Sequence, residues 1–397
     1  MPWKEVKPMD EKILFIADFL RESGTFSQLC ERYGVSRKTG YKWIERYRTE
    51  GAEGLEERSR RPHTPAGEIP YTLHKAIMEL RHQGREPLGP KKIQALLAVR
   101  FPDQPVPSKT TIYNVLKREG MVEPRRRRRR VQPSPHSLAT ATNPNELWSA
   151  DFKGQFKLGN GHWCYPLTVM DHASRYLLGC QGLEGCRFVE TRNVFERLFQ
   201  EYGLPNRIRT DNGVPFASTG TGGLSHLSIW WIRLGILPER IEPGQPQQNG
   251  RHERMHRTLK LAVTHPPSAN QRDQQVQFDR FRADYNERRP HEGLGQRSPQ
   301  SCYHPSSRAY PNKLPEVEYP GYFQRQKVST NGITYWMGLR IYVGYLLVGE
   351  WIGLEEVGDG IWAVYFGPLR LGSFDQRQPK GRLNDYLTLK VSPMSLN

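Results

Sequence analysis

Residues 148–152 read Trp-Ser-Ala-Asp-Phe, and this run predicts a strand that holds Asp151 among apolar neighbours. Aspartate is disfavoured among apolar strand neighbours, so its presence there points to a role beyond packing. The alternation continues over 147–158, and Gly159-Asn160-Gly161 then predicts a hairpin turn. Further strands predicted over 162–170 and 175–180 complete an antiparallel meander.

Downstream of the meander, strands alternate with helices. Apolar residues recur at helical spacing over 187–202, and a polar, basic helix is predicted over 245–263. Short strands are predicted over 206–210 and 236–241, and a further helix over 273–286. Antiparallel strands followed by this alternation predict an α/β domain with a mixed sheet.

Two other carboxylates stand where they could meet Asp151. Asp211 follows a strand in Arg209-Thr210-Asp211-Asn212-Gly213-Val214-Pro215-Phe216, and Glu253 lies on the polar helix. Three converging carboxylates bind hard cations through oxygen ligands and leave positions open for water and phosphate. Two Mg²⁺ ions about 3.5–4 Å apart activate an attacking oxygen and stabilise a leaving one. The sequence therefore predicts a two-Mg²⁺ site, with Mn²⁺ as a possible substitute.

Two of the three carboxylates also have a purely structural interpretation. Asp211 could serve the turn, because Asp-Asn-Gly is favoured turn chemistry. Glu253 could be a helix-surface residue flanked by arginines. Asp171 competes as a fourth site carboxylate, although we interpret it as structural, paired with Arg175.

The N-terminal third predicts a helix-turn-helix. Helices are predicted over 11–21, 25–33 and 37–48, with the tight turn Gly34-Val35-Ser36 before the third. The third helix would present a basic face to a DNA major groove. Its predicted contacts are Arg37, Lys38, Tyr41 and Lys42. The alternative is an ordinary three-helix bundle with a solvated basic face.

A second helical unit follows, with helices predicted over 71–83, 90–99 and 109–119. It resembles a helix-turn-helix with a longer, Pro-rich connection. Its predicted DNA contacts are Lys109, Thr110 and Asn114. A tether comes next, and its arginines would track phosphates and make DNA binding steeply salt-dependent. These arginines are Arg125, Arg126, Arg127, Arg128, Arg129 and Arg130.

Composition agrees with a nucleic-acid partner. The 397 residues carry a formal charge of +17, which indicates a polyanionic partner. No stretch approaches the ~20 apolar residues of a membrane span, and the N-terminus has no signal-peptide pattern. The five cysteines are odd in number and lack Cys-x-x-Cys spacing, which argues against a disulfide framework or zinc ribbon. We expect a cytoplasmic protein with no membrane partner and no small-molecule substrate.

The predicted organisation is multidomain. Its parts are a helix-turn-helix domain (1–62), a second helix-turn-helix-like domain (63–122), a basic linker (123–142), an α/β catalytic core (143–305) and a small β domain (306–397). Strand formers and glycine breaks in the last part predict a small β-barrel that binds DNA or mediates assembly.

Four motifs occur in order over 143–303, about 40% of the chain: Trp-Ser-Ala-Asp, Thr-Asp-Asn-Gly-x-Pro-Phe, Pro-x-Gln-Asn-Gly-x-x-Glu-Arg and Tyr-Asn-x-x-Arg-Pro-His-x-x-Leu. Together they resemble the integrase catalytic core of bacterial insertion-sequence transposases, which is related to retroviral integrases. The resemblance implies a ribonuclease-H-like fold and a catalytic, metal-binding triad of Asp151, Asp211 and Glu253. It also implies Mg²⁺-dependent strand cleavage at element ends, followed by attack of the freed 3′-hydroxyl on target DNA.

Two departures from the family pattern stand out. Asp211 and Glu253 are separated by 41 residues, more than in many members, and the Gly-rich stretch 218–225 would absorb an insertion. No His/Cys zinc module precedes the core, so the helical units would bind the DNA ends. We therefore expect a transposase that acts as a homo-multimer on double-stranded DNA. The alternatives are a non-catalytic DNA-binding regulator with the same fold and a stand-alone ribonuclease-H-type nuclease.

Overall fold

A computed structural model of the chain describes residues 8–58, 69–83, 87–122, 138, 140–377 and 387–391. The chain divides into two compact units, residues 1–68 and 69–397, and each is described on its own. The arginine tether over 125–130 lies outside the described residues. In the described part of the chain, no helix is long and apolar enough to cross a membrane.

The first unit is a three-helix bundle with the predicted helix-turn-helix arrangement. Its helices are α1 (Pro8–Leu20), α2 (Phe26–Arg32) and α3 (Arg37–Glu50). Ser36 caps α3 by accepting a hydrogen bond from the backbone N–H of Thr39 at 3.2 Å. The core side chains are Phe15, Ile16, Leu29, Cys30, Trp43, Ile44 and Leu55.

Gly40 explains how closely α3 packs on the other two helices. It is buried, and a Cβ at this position would lie 2.9 Å from both Cys30 Sγ and Phe26 Cζ. A glycine inside a helix costs about 1 kcal/mol relative to alanine, so helix propensity alone favours a substitution. The close contacts oppose it, because an added methyl group must push buried side chains apart.

We therefore expect Gly40→Ala to destabilise the first unit by about 1–3 kcal/mol, the usual range for overpacking. Hydrogen exchange of the α3 amides in the full chain measures the effect. Glu45→Ala is the matched control, because Glu45 is exposed on the same helix and should tolerate alanine. Slower α3 exchange in Gly40→Ala than in the wild type would show that propensity outweighs packing here.

The second unit begins with three helices around a small core. They are α4 (Tyr71–His82), α5 (Pro90–Arg100) and α6 (Lys109–Arg118), close to their predicted bounds. Ser108 caps α6 by accepting from the Thr111 backbone N–H at 3.2 Å. The buried side chains are Leu73, Ala76, Ile77, Leu80, Ile93, Leu97, Ile112, Val115 and Leu116.

A mixed sheet forms the centre of the second unit, as predicted. Its strands are β1 (Leu147–Phe152), β2 (Phe156–Lys157), β3 (Trp163–Asp171), β4 (Leu177–Leu183), β5 (Arg207–Thr210) and β6 (Leu237–Arg240). The strand order is β2-β3-β1-β5-β6, and β4 also pairs with β3. β1, β3 and β4 are antiparallel neighbours, whereas β5 and β6 run parallel to β1 and to each other.

Helices cover both faces of this sheet. α7 (Phe188–Tyr202) and α8 (His226–Arg233) pack on the face that presents Trp148 and Ala150. α9 (Gly250–Val263) and α10 (Gln271–Glu287) contribute to a second core on the opposite face, with Met170 and Leu177. The central strand β1 is therefore buried between two helical layers.

Sequence periodicity did not predict α8. All six residues Leu227–Ile232 are buried, so the helix has no polar face to create a 3.6-residue pattern. Trp230 and Trp231 pack into the central core, whereas Ile229 and Ile232 pack against the C-terminal strands. α8 thus joins two hydrophobic cores.

The described C-terminal strands form two open sheets, so the predicted β-barrel is wrong. The strands are β7 (Gln324–Lys327), β8 (Ile333–Trp336), β9 (Leu339–Tyr342), β10 (Trp351–Gly358), β11 (Ile361–Phe366), β12 (Leu369–Asp375), β13 (Leu387–Thr388) and β14 (Lys390–Val391). One sheet has the order β14-β12-β11-β10-β7 and the other β13-β9-β8. A barrel requires the first and last strands of one sheet to pair, and these sheets share a hydrophobic core instead.

Candidate active site

Strand register brings the two predicted catalytic aspartates to the same level of the sheet. β1 pairs parallel with β5, with Ser149 opposite Arg209. Asp151 and Asp211 each lie two residues further along their chains. Because strand side chains alternate with a period of two, both aspartates continue the side that carries Ser149 and Arg209. This is the side covered by α9, the helix that carries Glu253.

Asp151 is the most perturbed of the three carboxylates. Its side chain is 20% exposed. Burial, together with the negative charge of Asp211 and to a smaller extent that of Glu253, raises its pKa to about 7. The Phe152 backbone N–H and the charge of Lys153 oppose this rise. The charges of Asp211 and Glu253 therefore act on Asp151, and a bound cation would offset their effect.

Asp211 forms the turn that its sequence predicts and also lies at the candidate site. One carboxylate oxygen accepts a hydrogen bond from the Gly213 backbone N–H at 3.1 Å, as expected of a turn aspartate. Asn212 donates its side-chain amide to the Ile241 carbonyl at 2.8 Å, which ties the loop to the end of β6. The turn thus orients Asp211 and leaves its second oxygen for another partner.

Glu253 lies in the first turn of α9 with an exposed side chain. Its oxygen donors, like those of the aspartates, suit a hard divalent cation. Within the described residues, however, no three His, Cys, Asp or Glu side chains are close enough to hold a metal ion. The donor chemistry of the three carboxylates fits Mg²⁺.

A buried hydrogen-bond network connects Asp151 to α9. Thr168 Oγ1 on β3 lies 2.6 Å from His252 Nε2 and 2.7 Å from His256 Nε2. Ser149 Oγ on β1 lies 2.8 Å from His252 Nδ1. At the other end, His256 Nδ1 lies 3.6 Å from Asp151 Oδ2. The Ser149 and Thr168 contacts hold the helix that carries Glu253 against β1 and β3.

The hydrogen-bond geometry assigns the protons in this network. The Thr168 hydroxyl donates to the Asp151 carbonyl at 3.0 Å, so it can only accept from the two imidazoles. With Thr168 as the acceptor, both histidines carry their proton on Nε2, so Ser149 donates to His252 Nδ1 in preference to the Met170 carbonyl 3.4 Å away. His256 Nδ1 then has no proton to donate to Asp151. Burial lowers the pKa of His252 to about 3 and that of His256 well below its usual value, so both are neutral.

Sequence reasoning missed this network. His252 and His256 are four residues apart and flank Glu253, so they occupy one face of the helix. That spacing was the available signal, but their partners on β1 and β3 are remote in sequence.

Asp171 is structural, although not through the predicted pairing with Arg175. Its fully buried carboxylate accepts from the backbone N–H of Asn145 at 2.8 Å and from the Ser174 hydroxyl at 2.6 Å. Arg175 instead donates its guanidinium to the His172 carbonyl. Asp171 therefore closes a turn rather than joining the candidate site.

The predicted DNA-contact side chains are exposed on their helices. On α3 these are Arg37, Lys38, Tyr41 and Lys42, and on α6 they are Lys109, Thr110 and Asn114. The Tyr41 ring also packs on Phe26, with 4.1 Å between ring centroids. Their position agrees with a role in contacting DNA, which stays a prediction.

Family models match the parts of the chain that carry these features. An integrase core domain matches residues 141–246, and a second integrase core model matches 234–299. Residues 141–299 thus match the integrase core domain. A helix-turn-helix domain matches residues 14–63 and a homeodomain-like domain matches 39–116. The integrase core matches include Asp151, Asp211 and Glu253.

Similar curated proteins come from bacterial insertion elements. The insertion element IS407 31.7 kDa protein of Burkholderia multivorans is 27% identical over 56% of this chain and 77% of its own length. The IS476 39.2 kDa protein of Xanthomonas euvesicatoria is 28% identical over 59% of this chain and 65% of its own length. The resemblance to insertion-sequence transposases with an integrase-like core is confirmed.

Solved structures of viral integrases are also similar. The HTLV-2 integrase catalytic core domain in complex with magnesium covers 41% of this chain and 98% of its own, with 17% identity and a TM-score of 0.30. The simian T-cell lymphotropic virus intasome with a PP2A regulatory subunit covers 72% of this chain and 96% of its own, with 17% identity and a TM-score of 0.37.

Proposed function

We propose that this protein is the transposase of an insertion element and catalyses DNA strand cleavage and strand transfer with Mg²⁺. One observation carries the proposal: Asp151 on β1 and Asp211, directly after β5, each lie two residues beyond the paired residues Ser149 and Arg209, inside the matched integrase core. The charges of Asp211 and Glu253 both act on Asp151. A strongly basic chain with three carboxylates at one candidate site suits phosphodiester chemistry, because the basic surface would bind DNA and cations would offset the acidic site.

Each side chain and backbone group of the candidate site would have a separate role. Asp151, Asp211 and Glu253 would hold two Mg²⁺ ions, which supply activation of the attacking oxygen and stabilisation of the leaving oxygen. The Gly213 N–H orients Asp211, and the Thr168 network holds Asp151 against α9. Water and then a DNA 3′-hydroxyl serve as nucleophiles, so no covalent protein–DNA intermediate is needed.

The helical units would bind the element ends. Exposed basic and polar side chains on α3 and α6 suit the major groove, and the arginine tether over 125–130 would follow the phosphate backbone. Two ends must be joined in one complex, so the active form would be a homo-multimer on double-stranded DNA. The reaction belongs in the cytoplasm, where the element's DNA lies.

The test is a cleavage assay with the full chain and a duplex taken from the borders of its own reading frame. We expect nicking at the element end with Mg²⁺ or Mn²⁺, none with EDTA, and joining of the cut strand to a second duplex. A scrambled duplex of equal length is the control. Normal binding without metal-dependent cleavage would favour the non-catalytic regulator, and equal cutting of both duplexes would favour a stand-alone nuclease.

A further inference from the structure

A buried ion pair joins β5 to β6 just before the residue Asp211. The Arg209 guanidinium donates through Nε to the Glu239 carboxylate, and the two side chains are only 3% and 0% exposed. The two residues lie opposite each other in the parallel register of the strands. Arg207 Nη1 adds a longer contact, 3.7 Å from the other carboxylate oxygen of Glu239. The pair therefore holds the Arg209 side chain in a defined position.

Arg209 uses a second nitrogen to reach the segment before α9. Its Nη1 donates to the Gln248 carbonyl at 3.2 Å. Gln248 belongs to the short 3-10 helix Pro246–Asn249, which leads directly into Gly250, the first residue of α9. The Gln248 side-chain oxygen also accepts from the Glu242 backbone N–H at 2.8 Å. One guanidinium group therefore attaches the start of α9 to β5 and β6.

A second arginine attaches the same end of α9 to another part of the core. Arg251, in the first turn of α9, donates to the carbonyl oxygen and to the ring Nδ1 of His172, both at 2.9 Å. His172 directly follows β3, and burial lowers its pKa to about 3, so its ring is neutral and Nδ1 can accept. Because α9 has both attachments, loss of Arg209 should loosen its first turn without detaching the helix.

Arg209 connects the chain segments that carry two of the candidate metal ligands. It lies on β5, two residues before Asp211. Its acceptor Gln248 lies five residues before Glu253. Because side chains alternate along a strand, Arg209 is on the same side of the sheet as Asp211, which is the side that α9 covers. The position of α9 relative to Asp211 therefore depends on this one side chain.

Stability alone does not explain a charged pair at this position. Apolar side chains of similar volume often replace a buried ion pair without loss of stability, because burial removes the hydration of both charges. An apolar pair cannot, however, donate to the Gln248 carbonyl. A guanidinium group can bind two acceptors at once in a fixed geometry, as Arg209 does with Glu239 and Gln248.

We infer that Arg209 is a positioning residue, which sets the place of Glu253 relative to Asp211 by holding the segment before α9. The inference rests on the proposed function for the role of the two carboxylates. Arg209 would not bind the metal itself, because arginine has no acceptor atom. It would act through the Gln248 carbonyl.

The test compares three variants of the full chain with the wild type. Arg209→Met combined with Glu239→Leu removes the ion pair and the donor to Gln248 but keeps the core filled. Arg209→Lys keeps the charge opposite Glu239, with one nitrogen in place of the two that bind Glu239 and Gln248. The matched control is Arg233→Met combined with Glu350→Leu, which removes another ion pair, at 3.2 Å, between α8 and the residue before β10.

Hydrogen exchange in EDTA measures how firmly the start of α9 is held and requires no reaction. We expect the amides of residues 250–256 to exchange about 10-fold faster in both Arg209 variants, because a hydrogen bond from a charged donor is lost. The control variant should exchange like the wild type over these residues, because its changes lie elsewhere in the fold. If the double Arg209 variant does not fold, Arg209→Lys supplies the comparison.

Mn²⁺ binding in the absence of DNA, followed by electron paramagnetic resonance, measures the candidate ligands directly. We expect the dissociation constant for Mn²⁺ to rise about 10-fold in both Arg209 variants, as is usual when a residue that orients metal ligands is lost. The control should stay within about twofold of the wild type. A purely structural role for Arg209 would leave the Mn²⁺ affinity of the folded protein unchanged.

Wild-type exchange or wild-type Mn²⁺ affinity in the Arg209 variants would overturn the inference, as would equal effects in the control. A wild type that binds Mn²⁺ but does not cut the element-end duplex would contradict the proposed function. Weaker Mn²⁺ binding by the Arg209 variants would still support the positioning role in that case. A wild type that cleaves, with an Arg209→Lys variant that needs no more Mn²⁺ for half-maximal cleavage, would overturn the inference and leave the proposed function intact.

Discussion

Asp151→Asn should abolish DNA cleavage and strand transfer, with a rate at least about 10³-fold lower than that of the wild type. The substitution keeps the shape of the side chain and removes the charge that a divalent cation needs. A single-turnover cleavage assay with Mg²⁺ on the element-end duplex measures the loss. We expect DNA affinity in EDTA to stay within about twofold, because Asp151 is largely buried and lies on the sheet.

The same substitution should not weaken the fold. The pKa of Asp151 is raised to about 7 in the folded protein, so ionisation of this side chain opposes folding in the metal-free state. A neutral amide removes the repulsion from Asp211 and Glu253, and thermal unfolding in EDTA should occur at an equal or higher temperature. Asp284→Asn, on the exposed face of α10, is the control and should cleave normally. If Asp151→Asn cleaves like the wild type, the assignment of Asp151 is wrong.

Thr168→Val should cause the largest loss of stability among single substitutions at the site. Valine keeps the volume but removes the hydroxyl that accepts from His252 and His256 and donates to the Asp151 carbonyl. A buried polar group left without its partner costs about 1–3 kcal/mol. Since two buried imidazole N–H groups lose their acceptor, we expect a loss of about 2–4 kcal/mol in the free energy of unfolding.

Urea unfolding of the full chain, with hydrogen exchange of β1 and α9, measures this effect. Thr168→Ser should restore most of the stability, because serine supplies the same hydroxyl. Thr258→Val is the matched control on α9. The Thr258 hydroxyl bonds only the Arg254 carbonyl of its own helix, at 3.3 Å, among the hydrogen bonds described, so we expect a loss below about 1 kcal/mol. Similar losses for the two valine variants would contradict the assigned network.

Cleavage should also respond to Thr168, although its side chain is fully buried and is not one of the candidate metal ligands. The network joins β1, β3 and α9, so its loss frees Glu253 to move relative to Asp151. We expect Thr168→Val to need a higher Mn²⁺ concentration for half-maximal cleavage and Thr168→Ser to behave like the wild type. A purely structural role for Thr168 would lower the yield of folded protein and leave the metal requirement unchanged.

Much of the core was predictable from local sequence. Strand alternation, the Asp-Asn-Gly turn and the capping serines at 36 and 108 all act through neighbours a few residues away. Those features predicted the mixed sheet, the helical units and the placement of the three candidate catalytic residues. The integrase core matches then agreed with the motifs that carried the resemblance.

The predictions were wrong or incomplete where the structure depends on contacts between residues that are distant in sequence. Helix α8 was not predicted because it lacks a polar/apolar periodicity. One of its sides is covered by the central core and the other by the C-terminal strands. The barrel was predicted from strand composition alone. Whether a sheet closes depends on pairing between its two outer strands, which composition does not encode.

The amino-acid sequence was enough to select the three candidate residues for metal-dependent phosphodiester chemistry. They are Asp151 in an apolar strand, Asp211 after a neighbouring strand and Glu253 on a polar helix. Tertiary structure alone decided what supports them. Thr168 meets His252 and His256 across 84 and 88 residues of chain, and Arg209 meets Gln248 across 39. This is because the hydrogen bonding and protonation state of a buried polar group depend on its partners. Those partners come together only when the sheet and its covering helices have packed.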